Sequence, residues 1–242
     1  MATPKIQFVR GAGGLGRPLP NNDHISALLF FNDTLPTGFS ANDRTKPVFS
    51  LEQAETLGII EGSADHAVEH YQIKTFFDMN PSGKLWVSFQ VLTSMTTDFA
   101  EIAEIQSIAN GEIRQIGIVD LSDTTLVRIG TDDVHDAIQT QITALKAIDQ
   151  PIQCLIGFDD SGLTDAGDYT TLAAETAANV SVVIGQDGTK AGAALATSNG
   201  TAIPAVGAFL GAVSLAKVNE NIGWVSKFRF DGTGEFSVPK LG

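Results

Sequence analysis

His66-Ala67-Val68-Glu69-His70 is the segment of this chain that most directly spells out a chemistry. Histidines four residues apart share one face of a helix, and with the glutamate between them they match the H-x-x-E-H pattern of inverted zinc proteases. A catalytic zinc takes three protein ligands. His66 and His70 therefore need a third, and Glu101, Glu104 and Glu112 are the available carboxylates. Glu101 and Glu104 belong to an ordinary amphipathic stretch and Glu112 to a turn, so none has a distinctive context. The competing reading places both imidazoles on the polar face of a helix whose other face is core. A motif without its context assigns no metal, and His66 and His70 stand only as a candidate pair.

Three further patterns meet the same obstacle. Gly11-x-Gly13-x-x-Gly16 matches the dinucleotide fingerprint, which works because a helix opens at the third glycine and aims its amides at the pyrophosphate. Here Arg17-Pro18-Leu19-Pro20 follows, and the next strand begins by Ile25, leaving no room for that helix. The glycines read instead as a hinge behind an arm strand. Ser214-Leu215-Ala216-Lys217 fits S-x-x-K, but its S-D-N and K-T-G partners are missing. Asp132-Asp133 and Asp159-Asp160 fall at strand-to-helix transitions, where carboxylates suit the helix dipole. Asp120 and Asp159 could still share the C-terminal edge of a parallel sheet, the usual α/β ligand site. That edge is the place for an alternative function, a small-molecule-binding or hydrolytic α/β domain. No recognisable histidine, lysine or nucleophile accompanies the two aspartates, so no catalytic residue and no cofactor is assigned.

The composition narrows the classes. The chain has 242 residues, 43% apolar and only 18% charged, below the roughly 25% charged typical of soluble domains. Disorder and coiled coils do not fit. A net charge of −13 argues against nucleic acid as a partner, because phosphate contacts need clustered cations. The single cysteine, Cys154, permits no intrachain disulfide and sits in the apolar run Ile152–Ile156 as a small hydrophobe. No apolar signal core follows Met1-Ala2-Thr3-Pro4-Lys5. The longest apolar stretch, 202–218, is Gly-rich, interrupted by Pro204 and too short for a typical span, so no membrane partner is expected. These features describe a chain from a reducing compartment, in which the sequons at Asn32, Asn179 and Asn199 are accidents of composition.

The elements that must position these residues follow from apolar periodicity. Ile6-Gln7-Phe8-Val9 alternates like a short strand, and Ile25–Phe31 is an apolar strand closed by Asn32-Asp33. The stretch from Pro36 to Pro47 reads as a polar loop. Leu51–Leu57 reads as a short helix capped by Ser50, with Gln53 at the capping-box position and Gly58 ending it. Ser63 is the expected cap of a helix whose Ala64, Ala67, Val68, Tyr71 and Phe76 fall near one face. Lys84–Val91 alternates as a strand with one buried face, and Phe99–Gln106 suits a helix stopped by Asn110-Gly111. Beyond it come a strand at Ile116–Val119, a helix at Val134–Ile148 and an apolar strand at Ile152–Phe158. A helix at Leu172–Ala178, a strand at Val180–Ile184, a small-residue helix at Val206–Val218 and a strand at Trp224–Phe230 complete the series. Gly207, Gly211 and Ala212 would let that last helix lie close against the sheet.

Alternation at this spacing predicts an α/β fold, a mostly parallel three-layer sheet with an extended N-terminal arm and an apolar C-terminal tail. The expected boundaries are an arm over 1–24, a core over 25–233 with a possible division into two subdomains near 110, and a tail over 234–242. The tail, Gly234 to Gly242, has nothing of its own to pack on and reads as a chain boundary or as a segment that pairs with another chain.

Three stretches carry a resemblance to a known family. They are Ala67-Val68-Glu69-His70-Tyr71-Gln72-Ile73-Lys74-Thr75-Phe76-Phe77 with Asn80-Pro81-Ser82-Gly83-Lys84-Leu85-Trp86-Val87, then Ile152–Phe158, then Val206-Gly207-Ala208-Phe209-Leu210-Gly211-Ala212-Val213 with Asn221-Ile222-Gly223-Trp224-Val225. In this order the chain resembles the sheath proteins of contractile phage tails and related injection machines, and more narrowly a divergent prophage sheath-like branch of unknown function. The resemblance implies a structural protein and not an enzyme: subunits stack as six-fold rings around a tail tube and shorten the stack on triggering. Its partners would be further copies of itself and the tail tube protein. It would reside in the bacterial cytoplasm during assembly and then in the virion tail or injection apparatus. In such families extended arms add strands to neighbouring subunits, which makes Ile6, Phe8, Val9, Phe236 and Val238 the inter-subunit candidates. The family usually carries a further C-terminal domain and arm, whereas this chain stops at Gly242, as a truncated product or as a short member of the branch.

Overall fold

Ser26–Phe31 forms strand β1, and all six of its residues are buried. A strand apolar on both faces requires cover on both. In a computed structural model that describes residues 24–91, 98–120, 134–157, 176–183, 186–187, 191–199, 203–216, 222 and 236–237, two separate apolar clusters supply that cover. Ala27, Leu29 and Phe31 belong to one, and Leu28 and Phe30 to the other.

Five more strands extend the sheet: β2 (Thr45–Val48), β3 (Leu85–Gln90), β4 (Gln115–Asp120), β5 (Gln153–Gly157) and β6 (Val180–Val183). Their order is β2-β3-β1-β4-β5-β6, with β2 antiparallel to β3 and every other pair parallel. The protein is thus α/β with a mostly parallel six-stranded sheet, as the alternation of elements predicts. One sheet joins strands from both sides of residue 110. From β1 the parallel strands proceed first to β3 on one side, then to β4, β5 and β6 on the other. The order in which strands are added to the sheet therefore reverses at β1, although their direction does not, and the crevice beyond the ends of β1 and β4 is the position where such sheets hold ligands.

The helices are α1 (Leu51–Thr56), α2 (Ala67–Met79), α3 (Glu101–Ile108), α4 (Val134–Ala147), α5 (Ala191–Asn199) and α6 (Val206–Leu215). Ile102 and Ile105 of α3 and Ile138, Ile142 and Leu145 of α4 complete the cluster containing Leu29. Ile73, Phe76 and Phe77 of α2 and Val206 and Leu210 of α6 complete the cluster containing Phe30. Among the described residues no helix is long and apolar enough to cross a membrane.

Local chemistry explains the boundaries. Ser50 Oγ accepts from the Gln53 amide at 3.2 Å, Gln53 Oε1 accepts from the Phe49 amide at 2.9 Å, and Gly58 leaves α1 at φ 90°. This is the expected capping box, displaced by one residue on its return bond. Asn110 at φ 53° and Gly111 at φ 73° end α3.

Several elements depart from the periodicity. β2 lies within and beyond the expected Pro36–Pro47 loop. It tolerates Pro47 because it is an edge strand, where a missing N–H costs no ladder bond. β3 is buried on both faces, not one. Ser88 on its second face bonds Thr45 Oγ1 at 2.8 Å, and Gln90 donates to Ser88 at 3.1 Å, so its polar residues find partners inside. α2 begins at Ala67 with His66 as a cap that makes no side-chain bond, while Ser63 accepts from the Asp65 amide in the turn before it. α5 shows no apolar periodicity. Residues 176–178 lead into β6 without helical structure, and the rest of the helix expected at Leu172–Ala178, like the strand expected at Trp224–Phe230, lies outside the described residues. Phe236–Ser237 of the tail forms β8, paired antiparallel with β7 (Gln186–Asp187) of the same chain, so these two residues have an intrachain partner that the sequence does not reveal.

The glycines of α6 serve close approach, but against α2 and not against the sheet. A Cβ on Gly207 would overlap the Gln72 carbonyl oxygen, and one on Gly211 would stand 2.7 Å from the Phe76 carbonyl oxygen. On the sheet side the space comes from strand glycines: a Cβ on Gly117 would lie 2.8 Å from Val206, and one on Gly157 3.1 Å from it. Because the obstruction at Gly207 is backbone, Gly207→Ala should destabilise the fold by roughly 2–3 kcal/mol or more in urea titrations. Gly62→Ala, with nothing within 4 Å of the added Cβ, should stay within about 0.5 kcal/mol of the parent. Equal midpoints for the two variants would contradict the assigned packing.

Candidate functional site

Strand β1 ends at Phe31, and the two residues that close it, Asn32 and Asp33, open onto a cleft. Its volume is about 610 Å³, and the turn Glu61–Asp65, the first turn of α2 and α5 complete the wall. The cleft therefore lies beyond the C-terminal end of β1, one of the two strands that flank the reversal of strand order, with no residue of β4 in its described wall.

The polar centre of this cleft is a strand-to-helix seam. Asn32 Nδ2 donates to the Asp65 carbonyl oxygen at 2.9 Å and to Glu69 Oε1 at 2.7 Å, while Asn32 Oδ1 accepts from the Thr34 amide at 2.9 Å. Every polar atom of the Asn32 side chain is thereby used to hold the strand end, the turn and the helix together. Glu69 is fully buried in the first turn of α2, where the helix dipole favours a negative charge. Its Oε2 has no hydrogen-bond partner. His66 lies next to it, with Nδ1 3.8 Å from Glu69 Oε1, beyond hydrogen-bond distance. The His66 ring packs edge-on against Phe89, and its Nδ1 also lacks a hydrogen-bond partner. One carboxylate oxygen and one imidazole nitrogen are thus desolvated and unbonded at the same seam.

The two histidines of the H-x-x-E-H pattern are both buried, so the exposed polar face expected for them does not exist. α2 is enclosed from Val68 to Ile73. The pair also diverges: His70 Nε2 is 3.0 Å from Glu55 Oε1 of α1, whereas His66 stands at the helix cap in a non-helical backbone conformation, which removes the i, i+4 alignment. The proposed third ligands are elsewhere. Glu112 accepts from Lys84 and, at 2.8 Å, from Trp86 Nε1, and Glu101 and Glu104 lie on α3. Among the described residues no group of three or more His, Cys, Asp or Glu could hold a metal ion.

Ser214 is buried and donates to the Gly211 carbonyl oxygen at 2.7 Å while accepting from Asn80 Nδ2 at 2.8 Å. Its hydroxyl is structural. Cys154 is buried between β4 and β6, and burial pushes its thiol far above the ordinary range, which keeps it protonated. Ile6, Phe8, Val9, Gly11, Gly13, Gly16, Asp132, Asp133, Asp159, Asp160, Lys217 and Val238 lie outside the described residues, and Phe236 pairs with Asp187 in β8. Glu69 enters the sequence reading only as the glutamate of the H-x-x-E-H pattern and Asn32 only as a strand end and sequon; what the sequence does not show is that the two are bonded. The available signal is a glutamate and a glutamine, Glu69 and Gln72, interleaved with the apolar Val68, Tyr71 and Ile73 in the first turns of α2.

Replacing Asn32 by Ala would leave Glu69 with neither oxygen bonded, and should cost roughly 1–3 kcal/mol of stability in denaturant titration. An unchanged midpoint would mean that the seam is not formed. Cys154 should resist alkylation by iodoacetamide at pH 8 in the native protein and react fully once unfolded; rapid native labelling would contradict its burial. No model of a known protein family matches the chain, and no curated protein matches it.

Proposed function

We propose that this protein is a structural subunit of a contractile tail sheath, polymerising as stacked rings around a tail tube in a phage, prophage or related injection machine. The observation that carries the reading is that the described parts of the stretches bearing the resemblance, those within residues 67–87, 152–157 and 206–213, form one packed unit. Ala67–Phe77 builds most of α2 and Val206–Val213 most of α6. The two helices lie against each other, while Leu85–Val87 and Gln153–Gly157 belong to the same sheet below them. A similarity spread between residues 67 and 213 thus corresponds, over the described residues, to one contiguous piece of the fold rather than to unrelated surface segments.

The charge pattern supports the same reading. A charged fraction of only 18% is what a chain with wide, weakly charged subunit contacts would need. The proposed partners are further copies of the chain and the tube protein, first in the bacterial cytoplasm and then in the assembled tail. Ile6, Phe8, Val9 and Val238 remain the proposed contacts through which arms would add strands to neighbouring subunits, and Phe236, paired with Asp187 of its own chain, would do so only along its other edge.

Co-expression of the full open reading frame with the tube protein of its own genome, followed by negative-stain electron microscopy, tests the reading. Striated tubes or stacked rings are expected. A protein that remains monomeric beside assembled tubes would refute it. Deleting residues 1–16 should leave a folded monomer that no longer polymerises, and tubes formed by that variant would remove the arm from the assembly.

A further inference from the structure

The cleft at the end of β1 has a chemistry that assembly alone does not use. Glu61, Asp65 and Glu69 line it, and no described residue in its wall carries a positive charge. Glu69 is 0% exposed, yet only its Oε1 is bonded, to Asn32, while Oε2 is buried with no hydrogen-bond partner. A desolvated carboxylate oxygen without a donor is strongly unfavourable, so the seam is set to receive a donor from outside. The dipole of α2 does not change this sign, because Glu69 itself already occupies the favourable first turn.

The arrangement also limits what that donor can be. A single metal ion needs ligands converging on one point, and no such group exists among the described residues. Carboxylates distributed around a space of 610 Å³, a size typical of small-ligand sites, instead match a cation whose charges are separated along a chain. We infer that the cleft binds an extended aliphatic cation bearing ammonium or guanidinium groups, with Glu69 as its inner anchor and Glu61 and Asp65 at the rim. This goes beyond the sheath reading and does not depend on it. Two sources offer that chemistry: a free small molecule, and the first 22 residues of the chain, which contain Lys5, Arg10 and Arg17 and no carboxylate.

Isothermal titration with spermidine as the probe tests the inference and separates the sources. The full chain and the full chain carrying Lys5→Gln, Arg10→Gln and Arg17→Gln are compared, each with and without Glu69→Gln. One-to-one binding to both chains identifies a free small cation as the ligand, and binding only to the triple variant identifies the chain's own cations as the occupant. In either case Glu69→Gln should weaken binding at least about tenfold, as expected for loss of a charge-assisted hydrogen bond. Should Glu69→Gln fail to fold, Glu61→Gln with Asp65→Asn carries the same comparison at the rim. Absence of binding to both chains, or affinity unaltered by removal of these carboxylates, overturns the proposal.

Discussion

One side-chain amide holds two helices in register, and most of the architecture depends on it. Gln72 of α2 donates from Nε2 to the Pro204 carbonyl oxygen at 2.7 Å and accepts on Oε1 from the Gly207 amide at 2.7 Å. The first amides of a helix have no partner within it, and here one is satisfied by a buried residue of a neighbouring helix 135 positions away in sequence. Such a bond forms only if the backbones come close, which explains the glycines at 207 and 211 along the contact. At the far end Asn80 donates to Ser214 at 2.8 Å. Gln72 beside Gly207, Phe76 beside Gly211 and Asn80 beside Ser214 advance in equal steps of four residues or nearly so, so the helices run parallel.

This joint has consequences at both of its faces. Toward the sheet, α6 places Val206 and Leu210 over β4 and β5, where Gly117 and Gly157 leave room. Toward the strand ends, α2 is held so that its first turn meets the residue following β1. Asn32 can then bond Glu69 and the Asp65 carbonyl together. The candidate cleft is thus a by-product of helix registry: displacing α2 by one turn would carry Glu69 out of reach of Asn32. On the proposed reading as an assembly subunit, the same registry provides a stiff unit from which arms could transmit load between neighbours.

What the sequence discloses follows the range of the interactions involved. β1 and β5 are legible because a strand covered on both sides is apolar throughout, and the ends of α1 and α3 are legible because Ser50, Gln53, Gly58, Asn110 and Gly111 act on residues within one turn. β2 is hidden by Pro47, whose acceptability depends on an edge position that only the sheet order supplies. The second buried face of β3 is hidden because Ser88 and Gln90 look solvent-facing until Thr45 is placed opposite. Gly207 and Gly211 announce close approach but not its object. At the site, the i, i+4 spacing of His66 and His70 suggests convergence, whereas the helix starts one residue after His66 and sends the two rings to different partners. The Asn32–Glu69 bond spans 37 residues, and no local pattern encodes it.

The Gln72–Gly207 joint therefore stands at the centre of the stability of the molecule, and residue-resolved amide hydrogen exchange addresses it most directly. The Gly207 amide, bonded to a side chain on another helix, should exchange as slowly as the β1 amides of Leu28, Leu29 and Phe30, because opening the joint requires opening the whole core. Gly207 exchanging orders of magnitude faster while β1 stays protected would show that α6 detaches on its own, and would contradict the account.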